Sequence, residues 1–525
     1  MGREVSRKYY DSEEGQVKVA RMNLNSTTFD RKKHKRDICV IVGLVLVVFL
    51  LSANRAWVHH RVKNGEYWVL NYPPNIPFMW QYDTDANMQL SSTALFPYYY
   101  KLQPMFTDRP GMQVSAYLIG QVVGAVSRPL YQSEYAQAIL DYGAKLIQVS
   151  DIPKLLAVEK ISYDVAAQLI IKYFNAAAGI ILFKLLSYCV ALVLMCRLVG
   201  RYLGQEYGLY AACFFLLSGN LLNAIGIYHT YEFQVLTPIY IIFLYSSLCD
   251  NYTIRRNIAY SILVGCLMLI KPNYASYIAV LVFSMLLLRV EARVLLSGIL
   301  ISIVAHSAPW VVWHWFLESN GMGILGILGS QNLVGEAPPL HPYTIIINEF
   351  LMTDSARLTS KLDSGLPGGG GPTVLQSEFL SHRDFGVVGM FQLVLNNIEL
   401  SLRVFAFPLG ILAVVGAYVA WINREMRPIV IMAILMLGTS WLQGFVAFPF
   451  DFHSRTMRDP SFLIFGLGVF GLFKVTNVLG SKRQKQLVIV LLVITLTISV
   501  LNHVQLPWVH PMDQHGLYTK ENTSG

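Results

Sequence analysis

Long apolar runs separated by short polar turns dominate the chain. About 20 helical residues cross a bilayer core, so runs of roughly 17–22 apolar residues predict spanning helices. The pattern predicts about eleven of them, at 38–57, 176–199, 207–227, 233–248, 258–270, 274–288, 295–316, 404–422, 429–448, 461–475 and 486–501. Alternate turns are basic: Arg197 and Arg201, Arg255 and Arg256, Arg289 and Arg293, Arg424 and Arg427, Lys482 and Arg483. Cytoplasmic turns carry such an excess, so these turns face inside and the others face outside or into a lumen. The fold class read from this pattern is an all-α polytopic membrane protein.

Residues 58–175 are expected to form the first external loop. Within it, 85–95 and 111–126 are moderately apolar and predict helices lying in the interface. The second opens at Pro110, a favoured first-turn residue. A crossing of the membrane by 111–128 is the alternative. A second long external segment, 317–403, contains LPGGGGP at 366–372, whose glycines and prolines do not sit inside a helix or strand. Residues 1–37 predict a cytoplasmic tail ending in RKKHKRD, too charged and too long for the leader of a cleaved signal peptide. The spanning domain is expected over 38–501, followed by an external tail at 502–525.

Composition agrees with this picture. Of 525 residues, 54% are hydrophobic and 14% charged, where a soluble domain has about 25% charged. The net charge of +9 lies mostly in tails and short turns, where orientation in the membrane explains it, so no nucleic-acid partner is expected. The six cysteines all fall in or beside apolar runs without a C-x-x-C pair, and read as small buried residues.

The expected topology collects charged residues on the outer side. Asp83, Asp85, Asp108 and Arg109 lie in the first loop, His229 and Glu232 precede the fourth span, Lys271 follows the fifth, and His453, Arg455 and Arg458 precede the tenth. Charges near hydrocarbon are costly and call for an aqueous cavity or a partner. Orientation statistics disfavour Lys271, Arg455 and Arg458 outside, so together they suggest an anion site, with a phosphate as the natural ligand. Each basic residue taken singly is equally well read as solvated or snorkelling. The carboxylates suit the other half of a transfer reaction, taking a proton from an acceptor hydroxyl or amine.

These residues also carry a family resemblance. WQYD, DANMQ and FTDRPGMQVSAYLIGQ, spread over 80–121, look like the first external loop of GT-C superfamily glycosyltransferases. The nearest branch holds the bacterial aminoarabinose transferases of lipid A modification and the protein O-mannosyltransferases. GIYHTYEF with Glu232, GCLMLIKPN with Lys271, and HSRTMRDP with Arg455 and Pro460 are similar to later elements of the same family, in the same order. The chain departs from the pattern at Thr84, which separates Asp83 from Asp85, and at Thr456, where the family has Tyr. Which aspartate is the base therefore stays open.

The resemblance implies a GT-C-type enzyme that transfers a sugar from a polyprenyl-phosphate-linked donor to a glycan, lipid or protein acceptor. It implies Asp83, with Asp85 and Asp108, in catalysis. Arg109, Lys271, His453, Arg455 and Arg458 would hold the lipid phosphate, and His229 and Glu232 would meet the sugar or the acceptor. No metal ligands are assigned, and divalent-metal dependence stays open. The bacterial plasma membrane is the favoured location, with the endoplasmic reticulum as the alternative. A transporter or flippase of a lipid-linked sugar is the rival reading, sharing the phosphate site but needing no base.

Overall fold

Backbone groups in hydrocarbon must be satisfied within the chain, which favours helices. The computed structural model describes residues 31–63, 90, 93–96, 110–134, 136–138, 140–141, 162–218, 221, 225, 233–250, 252–270, 292–320, 407–447 and 460–503. Nearly all of these are helical and none forms a strand. In chain order the helices are α1 (Arg31–Lys63), α2 (Pro110–Ser127), α3 (Tyr163–Leu203), α4 (Gln205–Leu216), α5 (Phe233–Asp250) and α6 (Ile254–Met268). They continue as α7 (Ala292–Ser319), α8 (Phe407–Ile422), α9 (Arg427–Ala447), α10 (Ser461–Val475) and α11 (Ser481–His503).

Among the described residues, three segments are long and apolar enough to cross a bilayer: Tyr163–Leu203, Leu296–Ser319 and Ser461–Leu479. Shorter apolar helices run over Val235–Leu248, Pro408–Ile422 and Arg427–Gly438. By these helices the chain is a membrane protein. The expected sixth span at 274–288, most of the first external loop and the LPGGGGP segment lie outside the described residues.

Local signals explain several helix ends. Ser162 accepts the Val165 N–H at 3.4 Å and starts α3, with Asp164 in the first turn complementing the helix dipole. This cap begins the helix at Tyr163 rather than at the expected 176, so the last part of the expected loop 58–175 is helical. Gly204, at φ 119, ends α3 and lets α4 fold back. The helix α4 stops at Leu216, short of the expected 227; Ser218, Gly219 and Asn220 follow, residue types that favour turns. Thr253 accepts the Arg256 N–H at 3.2 Å and starts α6. The expected burial of the cysteines fails at Cys39 and Cys266, which are exposed on their helices; in a bilayer that surface meets lipid, where a thiol is tolerated as a small apolar group.

Packing forms two large cores and one small cluster. The largest joins α1, α4, α5, α6, α8, α9, α10 and α11 to the second half of α3, from Tyr188 to Leu203. The second joins the first half of α3, from Ala166 to Ile180, to Leu90, Ala94, Leu95, Ala116, Trp310, Trp313 and Leu317. The long helix α3 therefore runs through both. A separate cluster of Met112, Phe233 and Ile270, with Phe183 and Leu267 packed on it, involves the α3 segment between them.

A buried polar lock ties α6 to α7. Asn257 Nδ2 donates to the Gly298 carbonyl at 3.0 Å, and Asn257 Oδ1 accepts from Ser302 Oγ at 2.8 Å and from Ser261 Oγ at 3.3 Å. Lipid tails are as apolar as leucine, so helices in a membrane associate through close packing and such polar contacts.

Candidate functional site

The helix α2 organises the site. Its Ala116 and Gly120 lie against Gly179 and Asn175 of α3, the contacts running in opposite chain directions, so the two helices are antiparallel. A Cβ at Gly120 would come within 2.6 Å of the Asn175 carbonyl oxygen, which is why small residues at four-residue spacing line this face. On the opposite face Leu118, Val122 and Val126 are exposed, an apolar stripe suited to lipid. Tyr131, just past the helix, donates to Asn175 Oδ1 at 2.8 Å and secures its far end.

At its near end α2 meets the end of α6. The Gly111 N–H donates to the Leu269 carbonyl at 2.9 Å. The first N–H groups and last C=O groups of helices lack intrahelical partners, and here one end satisfies the other. A Cβ on Gly111 would stand 2.6 Å from the Ile270 side chain and 2.8 Å from its nitrogen, so this approach requires glycine. Next along α2, Met112 is fully buried with Phe233 and Ile270. Phe183 of α3 stacks on Phe233, ring centroids 5.4 Å apart.

All ten sequence-predicted site residues, Asp83, Asp85, Asp108, Arg109, His229, Glu232, Lys271, His453, Arg455 and Arg458, lie outside the described residues. Their chain neighbours are described. Pro110 and Gly111 follow Asp108-Arg109, Phe233 follows Glu232, and Ile270 precedes Lys271. These neighbours meet in the Met112 cluster and the Gly111–Leu269 contact, although they come from three separate parts of the chain. The end of the first-loop stretch joins α2 one turn further on: Phe96 stands against Tyr117, centroids 5.0 Å apart, and against Phe316 at 5.8 Å. Pro460 and Ser461, after Arg458, are buried at the start of α10, whose next residues belong to the largest core.

Buried polar residues flank this cluster, and the collection of charges at span ends missed them. Gln113 and Lys184 are 0% and 1% exposed, each one residue from a member of the cluster, and Thr237, one turn after Phe233, is 1% exposed. Lys184 had a legible signal, an ionisable side chain inside an apolar run. Among the described residues no group of His, Cys, Asp or Glu is arranged to hold a metal. No protein-family model matches the chain, and a comparison with curated proteins finds no match.

Proposed function

We propose that the chain is an integral-membrane glycosyltransferase of GT-C type with about eleven spans. It takes a sugar from a polyprenyl-phosphate-linked donor and passes it to an acceptor on the outer or lumenal face. The observation that supports this most is the meeting of α2, α5 and α6 at Met112, Phe233 and Ile270. Three segments picked out by sequence for acidic and basic residues are tethered to that one cluster by single peptide bonds or a few residues of chain.

In this reading Asp83, or Asp85 in its place, takes the proton of the acceptor hydroxyl or amine as its oxygen or nitrogen attacks the anomeric carbon. The bond from that carbon to the phosphate oxygen breaks, and the electron pair leaves with the polyprenyl phosphate. Asp108 belongs to the same acidic site. Arg109, Lys271, His453, Arg455 and Arg458 hold the phosphate and stabilise the charge that grows on it. His229 and Glu232 meet the sugar or the acceptor. The exposed Leu118–Val126 face of α2 gives the site a border with lipid, from which a lipid-linked donor enters. The bacterial plasma membrane is the favoured setting and the endoplasmic reticulum the alternative.

The test is incubation of purified protein with radiolabelled polyprenyl-phosphate sugar and a panel of glycan, lipid and protein acceptors. Release of polyprenyl phosphate with label appearing on an acceptor supports the enzyme. Movement of the intact donor across reconstituted vesicles, with no bond change, supports a flippase instead.

A further inference from the structure

The chain passes from α10 to α11 through a short 3-10 helix, Thr476–Leu479, and Gly480 at φ 76. This connector is held from below. Tyr207 of α4 meets Phe470 and Phe473 of α10 edge-on, centroids 5.3 and 4.9 Å apart. Lys485 of α11 pairs with Glu206 of α4 at 3.2 Å, and Gln484 Nε2 donates to the Phe473 carbonyl at 2.7 Å. The outer surface of the connector is bare. Val478 is 92% exposed, and Val475 and Leu479 are exposed beside it. Cations stand on both sides: Lys474, its ammonium 5.0 Å from the Phe470 ring, and Lys482 and Arg483, all exposed. The stretch KVTNVLGSKRQK, 474–485, has four basic residues and no carboxylate.

We infer that the α10–α11 connector docks on anionic phospholipid, with Val475, Val478 and Leu479 at the level of the headgroups and Lys474, Lys482 and Arg483 on the lipid phosphates. Orientation in the membrane accounts for basic residues in a turn, but not for three exposed apolar side chains between them. Apolar residues flanked by cations are the pattern of an element that lies in the interface. Four basic residues beside a span attract anionic headgroups. The connector also stands where lipid begins. The segment Ser461–Leu479 is apolar and long enough to cross a bilayer and ends there. From the same place α11 leaves with Ile489, Val490 and Val493 exposed, an apolar surface continuous with the connector. Lys485 stays with Glu206, so the other three cations are the ones that meet lipid. This contact is independent of the sugar-transfer chemistry.

The experiment titrates phosphatidylglycerol, or phosphatidylcholine with the same acyl chains, into full-length protein in detergent and reads bound lipid by native mass spectrometry. The wild type should bind phosphatidylglycerol more tightly. Replacing Lys482→Gln and Arg483→Gln together should lower that affinity roughly five- to thirtyfold and leave phosphatidylcholine unchanged. Added salt should act in the same direction. Val478→Ser should weaken both lipids, because it alters the apolar tip and no charge. Arg255→Gln with Arg424→Gln, two exposed cations of other basic turns, is the control and should match the wild type. All five positions are exposed, so the variants should keep the fold. Equal affinity of the wild type for the two lipids overturns the inference, as does undiminished phosphatidylglycerol affinity in the connector pair. An equal loss in the control pair would assign the preference to the basic turns at large and also overturns it. Val478→Ser at wild-type affinity for both lipids overturns the role of the apolar tip.

Discussion

The backbone N–H of Gly111 donates to the carbonyl of Leu269 across 2.9 Å, joining the start of α2 to the end of α6. Each helix end satisfies a backbone group that the other leaves open. Gly111→Ala puts a methyl group within 2.6 Å of the Ile270 side chain, so the variant should lose about 1–3 kcal/mol of stability. Gly43, where a methyl group would meet nothing within 4 Å, is the matched control. Thermal unfolding in detergent compares the two. Equal midpoints for Gly111→Ala and Gly43→Ala would show that the junction yields freely.

Asn257 should matter more than an ordinary polar residue. Replacing it with Ala removes its bonds to Gly298, Ser302 and Ser261 and leaves buried partners without it. Interhelical hydrogen bonds in membranes contribute about 0.6 kcal/mol on average, up to about 1.7. A loss near the upper figure is expected for Asn257→Ala, and a smaller one for Ser302→Ala. Stability titrated by SDS unfolding of refolded protein reports both; no loss in either variant would mean that α6 and α7 stay together by apolar packing alone.

Asp83→Asn should abolish sugar transfer while the protein folds and binds polyprenyl phosphate normally. Asp85→Asn should retain most of its turnover. The reverse pattern in the same radiolabel assay would move the base to Asp85, and full activity in both would remove the carboxylate base from the proposal.

The alternating turns predict opposite sides of the membrane for two exposed positions. Ser133 follows α2, and Val478, 92% exposed, lies between α10 and α11. In a cysteine-free background, Ser133→Cys should react with an impermeant maleimide on intact cells and Val478→Cys only after permeabilisation. Labelling of both from outside would break the predicted orientation.

Much of the helical layout was legible along the chain. The run 461–475 coincides with α10, and Pro110 opens α2 as its position before an apolar segment suggests. Apolar runs, prolines and turn residues act on their own neighbourhood, so they can be read without knowing what packs where. The early start of α3 depended on Ser162, a local signal as well. Other features belong to the tertiary structure. The meeting of Met112, Phe233 and Ile270 joins positions far apart in sequence, and the enclosure of Lys184 separates it from exposed Lys172 on the same helix. Hydropathy cannot distinguish these cases, because a face turned to lipid and a face turned to another helix are equally apolar. Only the arrangement of the helices decides which side chains meet lipid and which are shut between cores.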